Sequence, residues 1–386
     1  MRIFVYLIVF FSFFDLFSQL PIMSPLALSL GASSFVTGLV VGMYSFSNTI
    51  GNVISGFLTD KRGPFIVLLI GLFASAFSLF CYMLANDPLS LLIVRLVHGF
   101  MEGLIVPAAF TFLANRAKES KRGRSVAISG AFVGSAAIIG PAYSGIVAAK
   151  TGAPFIMAVN GAIMLILAIF AFFLLRSFTV AKKKQEADSK NFRVRYLFKS
   201  PGMVRAFAGA FFLMFSQGVL ALVLPLKVEG LGFDTKTSGM LLSTFGIVAI
   251  LIFLLPINRI FDKARPMLTL AFGISVMGVS MLFLSQADDM SLLYFAMALY
   301  GVGFAFLFPS INSLLIDSSS PEFRGKAYGY FYAFFSIGVV VGSSIIGYLD
   351  LSYNGGFIVT GIVLLVVALY TVFGMKRNLQ LTDPSK

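Results

Sequence analysis

The sequence predicts an all-α membrane protein whose twelve transmembrane helices form two six-helix bundles related by pseudo-twofold symmetry. Composition is the first observation: of 386 residues, 58% are hydrophobic and only 12% charged, with mean hydropathy +0.94. A soluble domain of this length needs a far more charged surface. The second is the recurrence of apolar runs of about 20 residues, each closed by charge, Pro or Gly, the length at which a helix crosses a hydrocarbon core. The third is an internal repeat. A β-barrel is excluded because its strands alternate apolar and polar over about 10 residues. Backbone in lipid must satisfy its own hydrogen bonds, so the runs read as helices.

Taken in order, the spans fall at 3–27, 34–58, 65–85, 89–114, 124–148, 154–176, 203–226, 236–258, 267–286, 290–316, 325–349 and 354–375. The first follows Met1 and Arg2 as a signal peptide would, but it is too long, holds Asp15 and lacks a small-x-small cleavage site. It reads as a retained helix. The formal net charge of +13 suggests nucleic acid only until the loops are assigned. Alternating them from a cytoplasmic N-terminus leaves all but four of the 29 Lys and Arg residues inside. Lys150, Lys227 and Lys236 fall outside, and Arg95 lies within a helix. Both termini are therefore expected in the cytoplasm of a cell-membrane protein, by the positive-inside rule. The lone Cys81 permits no intramolecular disulfide.

The one long polar segment separates six spans from six. The predicted division is a first bundle over 1–177, a basic cytoplasmic linker over 178–200 against anionic headgroups, and a second bundle with a short tail over 201–386. A constant offset of 202 relates the halves: Asp60-Lys61-Arg62-Gly63-Pro64 returns as Asp262-Lys263-Ala264-Arg265-Pro266. The same offset carries Gly99 to Gly301, Pro107 to Pro309, Arg122-Gly123 to Arg324-Gly325, Gly140 to Gly342 and Gly145 to Gly347. Phe17-Ser18-Gln19 matches Phe215-Ser216-Gln217 at an offset of 198. Parallel six-helix repeats imply an axis along the membrane normal and a site between bundles near the midplane.

These residues resemble the major facilitator superfamily over nearly the whole length. Gly56, Leu58, Asp60 and Gly63 match the first half of its loop signature G-x-L-a-D-r-x-G-r-k, although Pro64 and Phe65 stand where two basic residues are usual. Arg95-Leu96-Val97-His98-Gly99 resembles R-x-x-q-G, with His for Gln. Gly130, Gly134, Gly140, Pro141 and Gly145 resemble the glycine pattern of the exporting branches, with Ala136 and Ser144 replacing two glycines. Pro321-Glu322-Phe323-Arg324-Gly325 looks like the usual opening of the eleventh helix. The resemblance implies a small-molecule transporter, in particular the twelve-helix drug:proton antiporter branch, with helices one and four side by side at a central cavity.

An ionised side chain at mid-bilayer costs about 2.5–3.5 kcal/mol even on lenient scales, so such residues are functional candidates. Asp15, Arg95, His98 and Glu102 lie deep in spans. The last three form one helical stripe, which must face protein or water. Asp15 and Glu102 are the expected proton-coupling residues. Arg95 is the organiser, always charged, and His98, Gln19 and Gln217 are expected cavity contacts. The alternative is a fixed ion-pair network joining helix one to helix four. With no second His and no Cys nearby, no metal site is expected.

Asp60, Arg62, Gly63, Arg116 and Asp262 are candidates for cytoplasmic gating, with Asp60 and Arg116 as a latch or, equally, a solvated turn. Gly130, Gly134, Gly140 and Gly145 suit close helix packing, and Pro141 predicts a kink. The second half has no midplane charge but many aromatics, including Tyr328, Tyr330, Phe331, Tyr332, Phe334 and Phe335, which suit an amphipathic ligand.

No G-x-x-x-x-G-K-[ST] loop occurs, so ATP is not the expected energy source. The expectation is a monomeric, cofactor-free secondary transporter that exports a small amphipathic compound by alternating access, driven by a proton gradient. An importer or facilitator of a sugar or metabolite is the first alternative. A non-transporting sensor or assembly protein of the same fold is the second. Neither an enzyme nor a nucleic-acid partner is expected.

Overall fold

A computed structural model describes residues 2–114, 122–176, 195–254, 264–319 and 324–381, with no strand among them. In order these are α1 (Arg2–Ser18), α2 (Met23–Ser29), α3 (Ser34–Arg62), α4 (Pro64–Phe80), a 3-10 turn (Cys81–Leu84), α5 (Pro88–Glu102) and α6 (Ile105–Ala114). Next come α7 (Arg122–Thr151), α8 (Ala153–Leu175), α9 (Arg195–Lys199), α10 (Pro201–Gly230) and α11 (Thr235–Leu254). The remainder are α12 (Pro266–Gln286), α13 (Met290–Asp317), α14 (Arg324–Tyr348) and α15 (Tyr353–Leu381).

Ten spans among the described residues are long and apolar enough to cross a membrane, or eleven with the bent pair α1 and α2. The expected first span is thus not one straight helix. It turns by 48° between Ser18 and Met23, where Pro21 removes a backbone donor. Helix α3 is absent from that apolar set, yet its 29 residues reach about 43 Å at 1.5 Å per residue.

The polarity of α3 has a local cause. Helix α5 ends at Glu102, and α6 restarts only at Ile105, which would leave backbone groups unsatisfied away from water. Residues on α3 add partners at this break, where the Gly99 carbonyl already accepts from the Gly103 N–H. Asn48 Nδ2 donates to the Gly99 carbonyl at 3.2 Å, and Ser55 Oγ donates to the Leu104 carbonyl at 2.8 Å. Asn52 Nδ2 in turn donates to Asn48 Oδ1 at 2.9 Å. Three further features shape the junctions. Gly63 joins α3 to α4 at φ +82, a conformation that favours glycine. Pro64 then opens α4, where its missing N–H costs nothing. At the start of α5, the Ser90 N–H, the Ser90 hydroxyl and the Leu89 N–H hold the Asp87 carboxyl below its ordinary pKa.

Two compact units divide the chain. The first comprises Met1–Asp188, Leu224–Ser243 and Ser343–Asp350; the second comprises Ser189–Val223, Thr244–Gly342 and Leu351–Lys386. In the first, α1 packs on α7, α3 on α5, and α4 on α8 and α5. Its core includes Val5, Ile8, Leu68, Leu72, Leu91 and Ile105, all 1% exposed or less. One end of this unit is closed by backbone contact between α7 and α11. A Cβ on Gly239 would overlap the Pro141 carbonyl, and one on Gly145 would stand 2.7 Å from the Thr235 carbonyl oxygen. Ser243 Oγ crosses the same seam, donating to the Ile138 carbonyl at 2.6 Å. At that end too, the start of α3 meets the end of α14, where Phe35 and Tyr348 rings stand 5.8 Å apart.

In the second unit α12 packs on α13 and α15. Ser280 Oγ of α12 donates to the Ala296 carbonyl of α13 at 2.7 Å. Ser280→Ala should lower stability by about 0.6 kcal/mol, the mean for a side-chain hydrogen bond between membrane helices. Thermal unfolding in detergent measures this small loss, and a shift several times larger would mean that repacking dominates.

The repeated glycines make equivalent contacts in both halves. Gly99 abuts the Tyr44 carbonyl as Gly301 abuts that of Phe245, and Gly140 approaches Phe14 and Phe17 as Gly342 approaches Phe215. Gly145 meets Thr235 as Gly347 meets Ser34. Lys227, expected in an outer loop, lies instead inside the last turn of α10 and is buried.

Candidate functional site

The four ionisable residues singled out within spans are all buried: Asp15, Arg95, His98 and Glu102 are each 3% exposed or less. They sit where helices lose regularity. Asp15 is one turn before the α1–α2 break, Glu102 is the last residue of α5, and the 3-10 turn at Cys81–Leu84 supplies Tyr82.

Asp15 takes part only as an acceptor. Asn160 Nδ2 donates to its Oδ1 at 2.8 Å and Gln19 Nε2 to its Oδ2 at 2.7 Å, while His98 Nε2 stands 3.3 Å from Oδ2. Asn160 Nδ2 also reaches Ser18 Oγ at 2.9 Å. Arg95 was expected beside the acids, but the ion pair of Asp15 is with His98. Its Nε and Nη2 donate to the Val40 and Val41 carbonyls of α3 at 2.8 and 2.9 Å, and its Nη1 donates to Gln19 Oε1. Gln19 is therefore the bridge between guanidinium and carboxylate. The guanidinium also lies 5.2 Å from the Tyr44 ring centroid, which adds cation–π attraction.

His98 is boxed by two tyrosines, edge-on to Tyr44 and Tyr82 at centroid distances of 5.2 and 5.6 Å. Its Nδ1 shares a hydrogen bond of 3.1 Å with the Tyr82 hydroxyl. Glu102 is held less firmly. Ser75 Oγ donates to Oε2, and Oε1 has no partner. Of the six buried side-chain polar atoms without a hydrogen bond among the described residues, four belong to this cluster: Ser12 Oγ, His98 Nε2, Glu102 Oε1 and Asn160 Oδ1. Such atoms ordinarily find partners. Their convergence sets this cluster apart from the rest of the described interior.

One donor atom each from Asp15, His98 and Glu102 lies within 4.8 Å of the others. A metal ion bound there would compete with hydrogen bonds already made. Asp15 already accepts two hydrogen bonds, Nδ1 is engaged by Tyr82, and a direct metal shell needs ligands about 2.0–2.2 Å from one centre.

The other candidates are placed as follows. Gln217 is buried on α10 in the second unit and takes no part in this cluster. Arg62 is exposed at the end of α3. Arg116, Asp262 and the side chain of Asp60 lie outside the described residues, as do the surroundings of Gly130. Gly134 is half-buried, and α7 runs through Pro141 as one helix. Sequence reasoning passed over Asn160, Tyr82, Tyr44 and Ser75. Only Asn160 had a readable signal, as a lone amide in an apolar run. The others are residue types that membrane helices carry for many reasons.

A polytopic helical membrane protein with a buried, partly unsatisfied ionisable cluster belongs to the class of carriers and channels rather than to lipid-embedded scaffolds. The particular family follows from comparison: the chain matches the Major Facilitator Superfamily over residues 5–319 and 206–385, and it belongs to that family of membrane transporters. It is similar to an uncharacterised MFS-type transporter of Methanocaldococcus jannaschii, 23% identical over 85% of this chain and 86% of that one. It is also similar to multidrug resistance protein MdtG of Klebsiella pneumoniae, 26% identical over 88% and 84%. The Salmonella typhimurium MdtG is 27% identical over 89% and 86%. Among solved structures, a mutant of the nucleoside transporter NupG superposes with TM-score 0.77 at 17% identity, covering 97% of this chain and 99% of that one. A bacterial homologue of the human lysosomal transporter Spinster, inward-facing and unoccupied, gives 0.78 at 13% identity over 97% and 96%. These likenesses establish the fold. The family and relatives are transporters, not enzymes.

Proposed function

We propose that this transporter exports a small amphipathic compound in exchange for protons, by alternating access, across a cell membrane with both its termini in the cytoplasm. One observation carries the proton coupling: two carboxyl groups and an imidazole are buried together, with the guanidinium one amide away from Asp15. Burial without a fixed counter-charge makes a carboxyl group's charge sensitive to access of water, which is what coupling to a gradient requires. Glu102, with one oxygen unpartnered, is the better placed carrier, and Asp15, which only accepts hydrogen bonds, couples to it as the neighbouring anion. Similarity to the MdtG proteins supports efflux and a drug-like substrate. Alternating access is supported by the seam between α7 and α11, where glycine meets backbone carbonyl and one side-chain hydrogen bond crosses, a contact that can part.

Everted membrane vesicles with a pH-sensitive dye and a panel of compounds test the proposal. An amphipathic substrate should release protons from the acidified lumen and recover dye fluorescence within seconds, in a Glu102-dependent way. Proton movement only with a sugar or metabolite in right-side-out vesicles would establish import instead. No compound-dependent proton movement in either orientation would overturn the coupling.

A further inference from the structure

His98 has no task in that proposal beyond lining the site, yet its geometry fits one. The groups facing its ring are Asp15 from α1, Tyr44 from α3 and Tyr82 from the 3-10 turn, with Arg95 and Glu102 on its own helix. Asp15 acts only as an acceptor, as an ionised carboxylate does, and Arg95 is permanently cationic. These two cancel. The cluster is then neutral only if Glu102 and His98 hold one exchangeable proton between them. With none it carries a buried negative charge and with two a buried positive one, and both are costly within a membrane.

Two observations say where the proton can go. His98 Nε2 and Glu102 Oε1 are both buried without a hydrogen bond, Nε2 having only the ion-pair contact with Asp15, in a cluster whose donor atoms lie within 4.8 Å of one another. A bare Nε2 lone pair would also repel Asp15 Oδ2 at 3.3 Å, whereas a protonated Nε2 attracts it. The opposite edge of the ring is held by Tyr82.

We infer that a single proton is shared between the Glu102 carboxyl and His98 Nε2, so that His98 carries the transported proton and Tyr82 is the positioning residue that sets its tautomer. This rests on the proposed proton coupling and deepens it. In the transfer, the O–H bond of Glu102 breaks and an N–H bond forms at Nε2, leaving carboxylate and imidazolium; the reverse step restores both neutral groups. Tyr82 Oη accepts from Nδ1–H and so leaves Nε2 as the free base.

His98 is the chain's only histidine, so selective 15N-histidine labelling of the full-length protein in lipid nanodiscs reports this ring alone. Infrared difference spectra report the protonated carboxyl in the same samples. The ring signals and the carboxyl band should change over one common pH interval, because a coupled pair titrates as a unit. In Glu102→Gln the ring's response should move out of that interval by tenfold or more in proton concentration. Tyr82→Phe should redistribute the neutral ring between its two tautomers while leaving the fold intact. A ring that stays neutral while the carboxyl band titrates would overturn the inference, as would identical ring titrations in wild type and Glu102→Gln. No substrate is needed, so failure here leaves proton-driven export standing. Failure of the vesicle assay, in turn, leaves the paired titration to be read independently.

Discussion

Replacing Glu102 by Gln should abolish transport against a gradient, by at least a hundredfold, while leaving expression and thermal stability near those of the wild type. Gln is isosteric with Glu. The bond from Ser75 Oγ to Oε2 can be kept by the amide oxygen, and the second position has no partner to lose. What disappears is the group that binds and releases a proton. Downhill exchange of substrate, which needs no proton cycle, should survive. Asp15→Asn should also stop uphill transport, but at a structural cost. The new amide must turn an N–H₂ toward Asn160 Nδ2 or Gln19 Nε2, where Asp15 had offered only oxygen. It also leaves His98 without its anion. Each buried donor so orphaned costs about 1–3 kcal/mol. Transport and melting measured together separate the two roles. Normal uphill transport in Glu102→Gln would remove the carboxyl from the mechanism.

The second large effect is expected at the α7–α11 seam. Gly145→Leu places a branched side chain where a Cβ alone stands 2.7 Å from the Thr235 carbonyl oxygen and 2.9 Å from Gly239 Cα. Backbone cannot yield to that as a flexible side chain can. Overpacking that moves backbone costs about 1–3 kcal/mol and occasionally more, which shifts a two-state population by about 5- to 150-fold. The variant should therefore hold the seam apart and stop turnover. Spin labels at the exposed positions Lys150 and Lys236, in a Cys81→Ser background, measure it directly. The interlabel distance should lengthen in Gly145→Leu, with Gly145→Ala between the variant and the wild type. An unchanged distance in a folded Gly145→Leu protein would mean that the seam is not a moving part.

Much of this architecture was legible in the chain because lipid leaves the backbone few options. Runs of apolar residues closed by charge can only be helices, and a fixed offset between glycines survives duplication because each must let another backbone approach. Gly99 and Gly301 show why that reading worked: both face a carbonyl of the neighbouring helix. Reading the spans by hydropathy was less adequate for α3, whose Asn48, Asn52 and Ser55 look out of place until the α5–α6 break they serve is seen. The same limit applied at α1, read as one span over 3–27, where the chain turns by 48° before Met23.

The candidate site was legible as a set of residues and not as a network. Ionisable groups in apolar spans stand out because burial in lipid is costly for any sequence, so Asp15, Arg95, His98 and Glu102 could be picked without coordinates. Which of them touch was a different matter. Helical spacing orders side chains along one helix, but Asn160 meets Asp15 across 145 positions and Ser75 meets Glu102 across 27. Such contacts depend on helix rotation and on where a helix breaks. The sequence by itself determined the membrane class, the repeat and the buried charges, because solvent cost and chain period act locally. Only the tertiary structure decided that Gln19 stands between Arg95 and Asp15, and that His98 faces Asp15 rather than a cavity wall, because hydrogen-bond partners are chosen by packing in three dimensions.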